Sequence, residues 1–366
     1  MTITTNVKPP RLLFIAVWLV ADLGALGCKR VGAESAAPDP LPSWSDGPAK
    51  RAIVEFVRAT TSPAGGGHFV PVEDRIATFD QDGTLWVEHP LYAQATFALD
   101  RVRALAASHP EWKTTEPFKA VLAGDRQALG KLPESDWEKI IAATHAGMTT
   151  DAFLADVERW LTSARHPRFR KPYTDLVYQP MLEAMRFLRA NGFATYIVTG
   201  GGQEFVRAYA ERVYGVPPEQ VIGSSLLTTY QVRGGKPALV REPKVFLVDD
   251  KGGKPVAINL FIGKRPIAAF GNSSGDAEML QWTAAPGPRA RLMMLVLHDD
   301  ERREYAYGPA GGLPDSKVGA FPQALMDDAK KSGWHIVSMK NDWNRIFSFG
   351  GLAMVGKDET DSPPAP

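Results

Sequence analysis

From residue 49 onward, short apolar runs alternate with longer stretches in which apolar residues recur every three or four positions. That alternation predicts an α/β protein with a parallel sheet flanked by helices. The runs that predict strands are Arg75 to Phe79, Ala194 to Val198, Ile267 to Phe270 and Leu292 to Leu297, and the first three lead straight into polar residues. In open parallel sheets ligands sit beyond the carboxyl ends of the strands, so those polar residues are the candidate site.

The segment 91–175 breaks the alternation, with helical spacing and no strand run, and predicts an inserted all-α unit. Within it Ser135-Asp-Trp-Glu138 reads as a capping box ahead of Ile140 and Ile141. After it, Pro180 opens a helix carrying Met181, Leu182, Met185 and Leu188, which Asn191-Gly192 closes. The predicted organisation is therefore a first core part at 51–90, the insert at 91–175, and a second core part at 176–350, followed by a disordered tail at 351–366.

The N-terminus changes the picture of where the chain works. Lys8 and Arg11 precede an apolar run from Leu12 to Gly27, the layout of a secretory signal spanning 1–28. Leu23-Gly-Ala-Leu-Gly-Cys28 resembles a bacterial lipobox, and cleavage after Ala33 is the alternative. The Pro-rich stretch 29–50 reads as a tether. Both readings imply an exported protein, periplasmic or an outer-membrane lipoprotein, that meets a membrane only through a lipid anchor on Cys28. With 42 Lys plus Arg against 41 Asp plus Glu, a net charge of +1 and no block of like charges, the 366-residue chain lacks the electrostatic footprint of a nucleic-acid binder.

The most specific string is Phe79-Asp80-Gln81-Asp82-Gly83-Thr84, directly after an apolar strand. Strand spacing sends both carboxylates to one side, while Gly83 lets the chain turn away. Two carboxylates at a strand end can divide labour, one ionised as nucleophile and the other protonatable as acid. The histidines show no zinc spacing, and no G-x-S-x-G elbow is present.

This string resembles the first motif of the haloacid dehalogenase superfamily of phosphohydrolases, and three further strings match the family's later motifs in order. Thr199 in Ile197-Val-Thr199-Gly-Gly-Gly-Gln203 resembles the second, Lys254 in Asp250-Lys-Gly-Gly-Lys254 the third with Lys251 as competitor, and Gly271-Asn272-Ser-Ser-Gly-Asp276 the fourth. The resemblance implies a Rossmann-like core, a C1-type helical cap over 91–175 and a phosphoserine-phosphatase-like layout. It further implies that Asp80 attacks a small phosphomonoester, that Asp82 is the acid and base, and that Thr199, Gly200, Gly201 and Lys254 hold the phosphoryl group. Mg²⁺ would be held by Asp80, Asp82, Asn272 and Asp276. Asn272 stands where the family carries an acid, and Ser274 where similar relatives carry another, so the alternative is a catalytically impaired lipoprotein that binds a phosphate ligand.

Overall fold

The computed structural model describes residues 38–63 and 68–349. The predicted signal with Cys28, the first part of the tether and the predicted tail lie outside them.

Helix α1 (Pro48–Thr61) precedes the central strand β1 (Ile76–Phe79). Six helices follow: α2 (Ala93–Leu105), α3 (Phe118–Ala123), α4 (Arg126–Leu129), α5 (Glu134–His145), α6 (Thr150–Ser163) and α7 (Gln179–Ala190). The chain continues through β2 (Ala194–Gly202), α8 (Gln203–Arg207), α9 (Ala210–Tyr214), β3 (Val221–Arg233), β4 (Lys236–Leu247) and α10 (Gly253–Phe261). It ends with β5 (Ala268–Gly271), α11 (Ala277–Ala284), β6 (Leu292–Leu297), α12 (Gln323–Lys331), β7 (His335–Ser338) and α13 (Met339–Asp342).

The seven strands form one sheet in the order β4-β3-β2-β1-β5-β6-β7, parallel except for the antiparallel pair β3 and β4. This is the Rossmann-like α/β arrangement, with β1 between β2 and β5. The strand pleat sorts side chains to the two faces. Ile197, Phe270 and Met294 enter one apolar cluster, and their chain neighbours Val198, Ala269 and Leu295 enter another. Phe79 and Phe270 stack across β1 and β5 with ring centroids 4.3 Å apart.

The four predicted strands are present, and three others carry no such signal. β3 and β4 are mostly half-buried or exposed, so their pattern is too polar for a core-strand reading. They form a two-residue hairpin in which Arg233 pairs with Lys236, and Gly234 and Gly235 both take positive φ, at 56° and 77°. Two consecutive positive φ values are what a type I′ turn demands and what glycine supplies without strain. β7 is a four-residue strand at the opposite edge.

Two boundaries differ from expectation. The predicted tether at 29–50 is folded structure from Asp39 onward: Leu41 and Trp44 are buried, Trp44 Nε1 donates to the Pro180 carbonyl at 2.9 Å, and Ser43 Oγ donates to Glu183 at 2.7 Å. Helix α5 starts before Ser135, with Pro133 at its N-cap and no side-chain cap, so the Ser135 capping box does not form. Helix α7 begins around Pro180 and ends at Asn191 as its sequence predicts.

The helices between β1 and β2 divide in their packing. Ala98, Leu99, Val102, Trp112, Val121 and Ile140 form a separate apolar cluster among α2, α3 and α5. Phe153, Val157 and Leu161 of α6 instead join the main core under the sheet.

Candidate active site

Asp80 follows β1 at the centre of the sheet, held by its main-chain N–H donating to the Phe270 carbonyl of β5 at 2.9 Å. Thr199 lies on the adjacent β2, where the pairing with β3 shifts between Thr199 and Gly202. Asn272 follows β5, and Lys254 sits in the first turn of α10. Four segments far apart in sequence thus meet at the carboxyl ends of β1, β2 and β5, where an open α/β sheet places ligands.

Lys254 is 1% exposed and donates to Asp80 Oδ1 at 2.5 Å, to Asp276 Oδ1 at 2.6 Å and to the Val198 carbonyl at 2.9 Å. Those three bonds use all three of its N–H groups. Burial opposes its charge, yet Asp276, Asp80 and Asp249 overcome that, and its pKa lies above the usual lysine value. The competitor Lys251 is exposed, on the turn before α10. Lys254 is therefore the lysine that the fold brings to Asp80.

Two carboxylates share that one ammonium. Burial first, then the neighbouring Asp276 charge, press the Asp80 pKa upward against the pull of Lys254. Asp82 lines the same cavity, and its Oδ1 accepts from Trp86 Nε1 at 2.7 Å. Desolvation pushes the Asp82 pKa up to about 6, against the lowering effect of the indole N–H and of Lys254. The two aspartates of the D-x-D string consequently occupy different environments, one tied to a cation and one poised near neutrality.

The loop after β5 is fixed by Asp276, whose Oδ2 accepts from the main-chain N–H groups of Asn272 at 2.9 Å and Ser273 at 3.0 Å. With Oδ1 on Lys254, both oxygens of Asp276 are engaged. Asp276 thus anchors both Lys254 and the loop. Asn272 Oδ1 accepts from Thr84 Oγ1 at 3.1 Å, and its Nδ2 donates to Glu88 Oε1 at 2.7 Å. Ser274 stands at the start of the next short turn, with its N–H on the Ala320 carbonyl.

A cation implied by the resemblance can be tested against these donors. Among the described residues no three His, Cys, Asp or Glu side chains converge as a metal cage would require. What is present is hard and oxygen-based: Asp80 Oδ2, held only by a 3.5 Å contact from Thr84 Oγ1, and the amide oxygen of Asn272. Asp80, Asp276 and Lys254 together sum to a formal −1. Such a donor set fits Mg²⁺, which takes one or two carboxylate-type ligands and keeps several waters.

Gly83 of the string and several buried residues that carry no local sequence signal support this arrangement. Gly83 has φ 75°, and a side chain there would collide with Asn272 Nδ2 and Glu88 Oε1. Its carbonyl accepts from His298 Nε2 at 2.7 Å, and His298 Nδ1 lies 3.0 Å from Glu304 Oε2. Glu88, 2% exposed, also accepts from the Tyr307 hydroxyl; burial first, and then Asp82, Asp80 and Glu304, raise its pKa well above the usual carboxylate range. Asp249 is fully buried behind the site and is pushed up to about 7 by desolvation.

A cavity of about 490 Å³ opens over these residues. Asp80, Asp82, Thr199, Gly200, Gly201 and Lys254 line it together with Gln94 of α2 and Trp137, Ile141 and His145 of α5. Arg168, before α7, donates to the Glu304 and Glu301 carbonyls.

The sequence profile of the haloacid dehalogenase-like hydrolases matches residues 77–281. No curated protein matches the chain. Among solved structures, a conserved protein of unknown function from Anaerococcus prevotii superposes with a TM-score of 0.50 and 16% identity, over 78% of this chain and 90% of that one. A phosphoserine phosphohydrolase-like protein from Francisella tularensis gives a TM-score of 0.35 and 16% identity, over 69% and 98%. The Anaerococcus likeness is one of fold.

Proposed function

Because the chain belongs to the haloacid dehalogenase-like hydrolases, whose profile spans more than half of it, we propose that it is a Mg²⁺-dependent phosphohydrolase that cleaves a small phosphomonoester through an aspartyl-phosphate on Asp80. The observation that carries this reading is the pairing of Asp80, locked to Lys254, with Asp82, which lies outside that ion pair, accepts from Trp86 and is shifted to about 6.

The chemistry balances with these residues alone. The Asp80 carboxylate attacks phosphorus, the ester P–O bond breaks, and the Asp82 carboxyl gives its proton to the departing alcohol oxygen. Water then loses a proton to the Asp82 carboxylate as its oxygen attacks phosphorus, and the bond to Asp80 breaks to release inorganic phosphate. Thr199 and the main chain of Gly200 and Gly201 hold phosphoryl oxygens, and Lys254 fixes Asp80 while its charge offsets that of the phosphoryl group. Asp80, Asn272, Asp276 and the Asp82 carbonyl would hold Mg²⁺, which when bound supplies positive charge against the transferring group. In this reading α2 to α5 act as a cap that excludes water. Export as a lipid-anchored or periplasmic protein rests on residues 1–33 alone.

The test is release of phosphate from alkyl phosphates by the full chain with Mg²⁺, with chelator, and with Asp80→Asn. Turnover that needs both the metal and Asp80 supports the proposal; turnover indifferent to Asp80→Asn overturns it. The uncharged Asn272 favours a second reading, a phosphate-ligand binding protein with impaired turnover. Activity in the unaltered chain excludes that reading, whereas activity that appears only in Asn272→Asp supports it.

A further inference from the structure

Beside its polar lining the cavity carries an apolar wall. Trp137 and Ile141 of α5 line it together with Leu226, Val245 and Leu247 of the hairpin and Val248 just after it. Val245 and Val248 are exposed and the other four half-buried, so apolar surface lies open in the free protein.

Three polar side chains of the cavity, Gln94, His145 and Arg241, are already engaged. Gln94 Oε1 accepts from the Gly202 N–H at 2.6 Å, and its amide nitrogen lies 3.3 Å from His145 Nε2. Arg241 Nε donates to the His145 carbonyl at 2.8 Å, Nη1 lies 2.7 Å from Glu204 Oε2, and the guanidinium sits over the Phe153 ring at 4.0 Å. Its charge is thus offset before any ligand arrives. The other cation of the cavity, Lys254, is held by Asp80 and Asp276. His145 is kept neutral, since burial first, and then Arg241 and Arg101, lower its pKa well below the usual value.

Five carboxylates line the cavity: Asp80, Asp82, Glu88, Asp250 and Asp276. A substrate carboxylate would enter their field with no free cation to receive it. A substrate ammonium would be drawn to those carboxylates and away from the apolar wall. Only an apolar group gains from that wall, by removing surface from water on both sides.

We infer that the site selects phosphomonoesters whose alcohol half ends in an apolar, ring-sized group, against those whose alcohol half ends in a carboxylate. The phosphoryl group lies against the polar lining, as in the function proposed above, on which this inference rests. The apolar end stacks between Trp137 and the hairpin. A cavity of about 490 Å³ has room for both.

Binding of non-hydrolysable phosphonates tests this without requiring turnover. Calorimetry on the full chain with Mg²⁺ would compare 4-phenylbutylphosphonate with 4-phosphonobutanoate. The expected result is that the phenyl compound binds at least about tenfold more tightly. Trp137→Ala should erase most of that ratio and Trp137→Phe should keep it, which separates lost contact from misfolding. Equal or tighter binding of the carboxylate compound overturns the inference even if phosphatase activity is found. If the phenyl preference holds while no ester is hydrolysed, the inference stands as a binding specificity and the catalytic reading fails.

Discussion

The indole Nε1 of Trp86 donates to Asp82 Oδ1 at 2.7 Å from four residues further along the same turn. A donor aimed at a carboxylate favours the ionised form, so this bond holds the Asp82 pKa below where burial alone would put it. Trp86 stacks on Tyr209 with ring centroids 4.8 Å apart, and Trp86→Phe keeps an aromatic ring there while removing the donor. With Asp82 as the acid, the rate of phosphoryl transfer from an alkyl phosphate falls as pH rises through about 6. In Trp86→Phe the acid stays protonated to higher pH, and this limb should move up by about one unit. Single-turnover rates across pH 5 to 9 read the shift directly, and an unmoved limb would assign the proton to another group.

The same shift has a consequence for stability. Asp82 has a folded pKa of about 6 against an ordinary 3.8, so the folded state binds its proton more tightly. A carboxyl raised in this way lowers stability as pH climbs from 3.8 through 6, because the ionised form is the one burial disfavours. Asp82→Asn removes that loss. The variant should be more stable than the unaltered protein by on the order of 3 kcal/mol at pH 7.5 and by about half as much at pH 5. Denaturant midpoints at the two pH values test this, and the same variant should lose about two to four orders of magnitude in alkyl phosphate turnover.

How much of this was readable from the chain depended on how local the cause was. β1, β2, β5 and β6 are apolar runs that need no partner to be recognised, and Asp80, Thr199 and Asn272 follow from being at or just after the ends of three of them. Lys254 was legible only from the order of its string, since its partners Asp80 and Asp276 lie 174 and 22 residues away. The hairpin of β3 and β4 escaped a reading based on buried runs, although Gly234-Gly235 carried a turn signal. Leu41 and Trp44 sit in a Pro-rich stretch, and their burial depends on Pro180, Glu183 and Trp343. Glu88 and Tyr307 meet across 219 residues, a relation no local pattern contains.

Lys254 is the one ammonium between two buried carboxylates. Lys254→Met leaves Asp80 and Asp276 as adjacent uncompensated charges, and breaking a buried pair in this way costs about 3–5 kcal/mol. If Asp276 is held chiefly through that charge, most of the loss should vanish when Asp276→Asn is added. Urea unfolding of both single variants and the double variant gives the coupling. Additive losses would mean that Asp276 acts through its bonds to the Asn272 and Ser273 N–H groups instead.

His298 tests whether the turn carrying Asp82 is braced from outside the four strings. The Gly83 carbonyl can only accept, so His298 Nε2 donates to it, and the fully buried Glu304 lies 3.0 Å from Nδ1 on the far side. Removing the ring in His298→Ala leaves Glu304 buried without this partner and the Gly83 carbonyl unpaired. The expected loss is about 3 kcal/mol in unfolding free energy, with part recovered by adding Glu304→Gln. Because Gly83 follows Asp82, the loosened turn should also lower kcat by about tenfold while leaving KM nearly unchanged, as expected when a proton donor is misplaced and binding is not. A change in KM alone would place His298 in substrate binding and detach it from the positioning of Asp82.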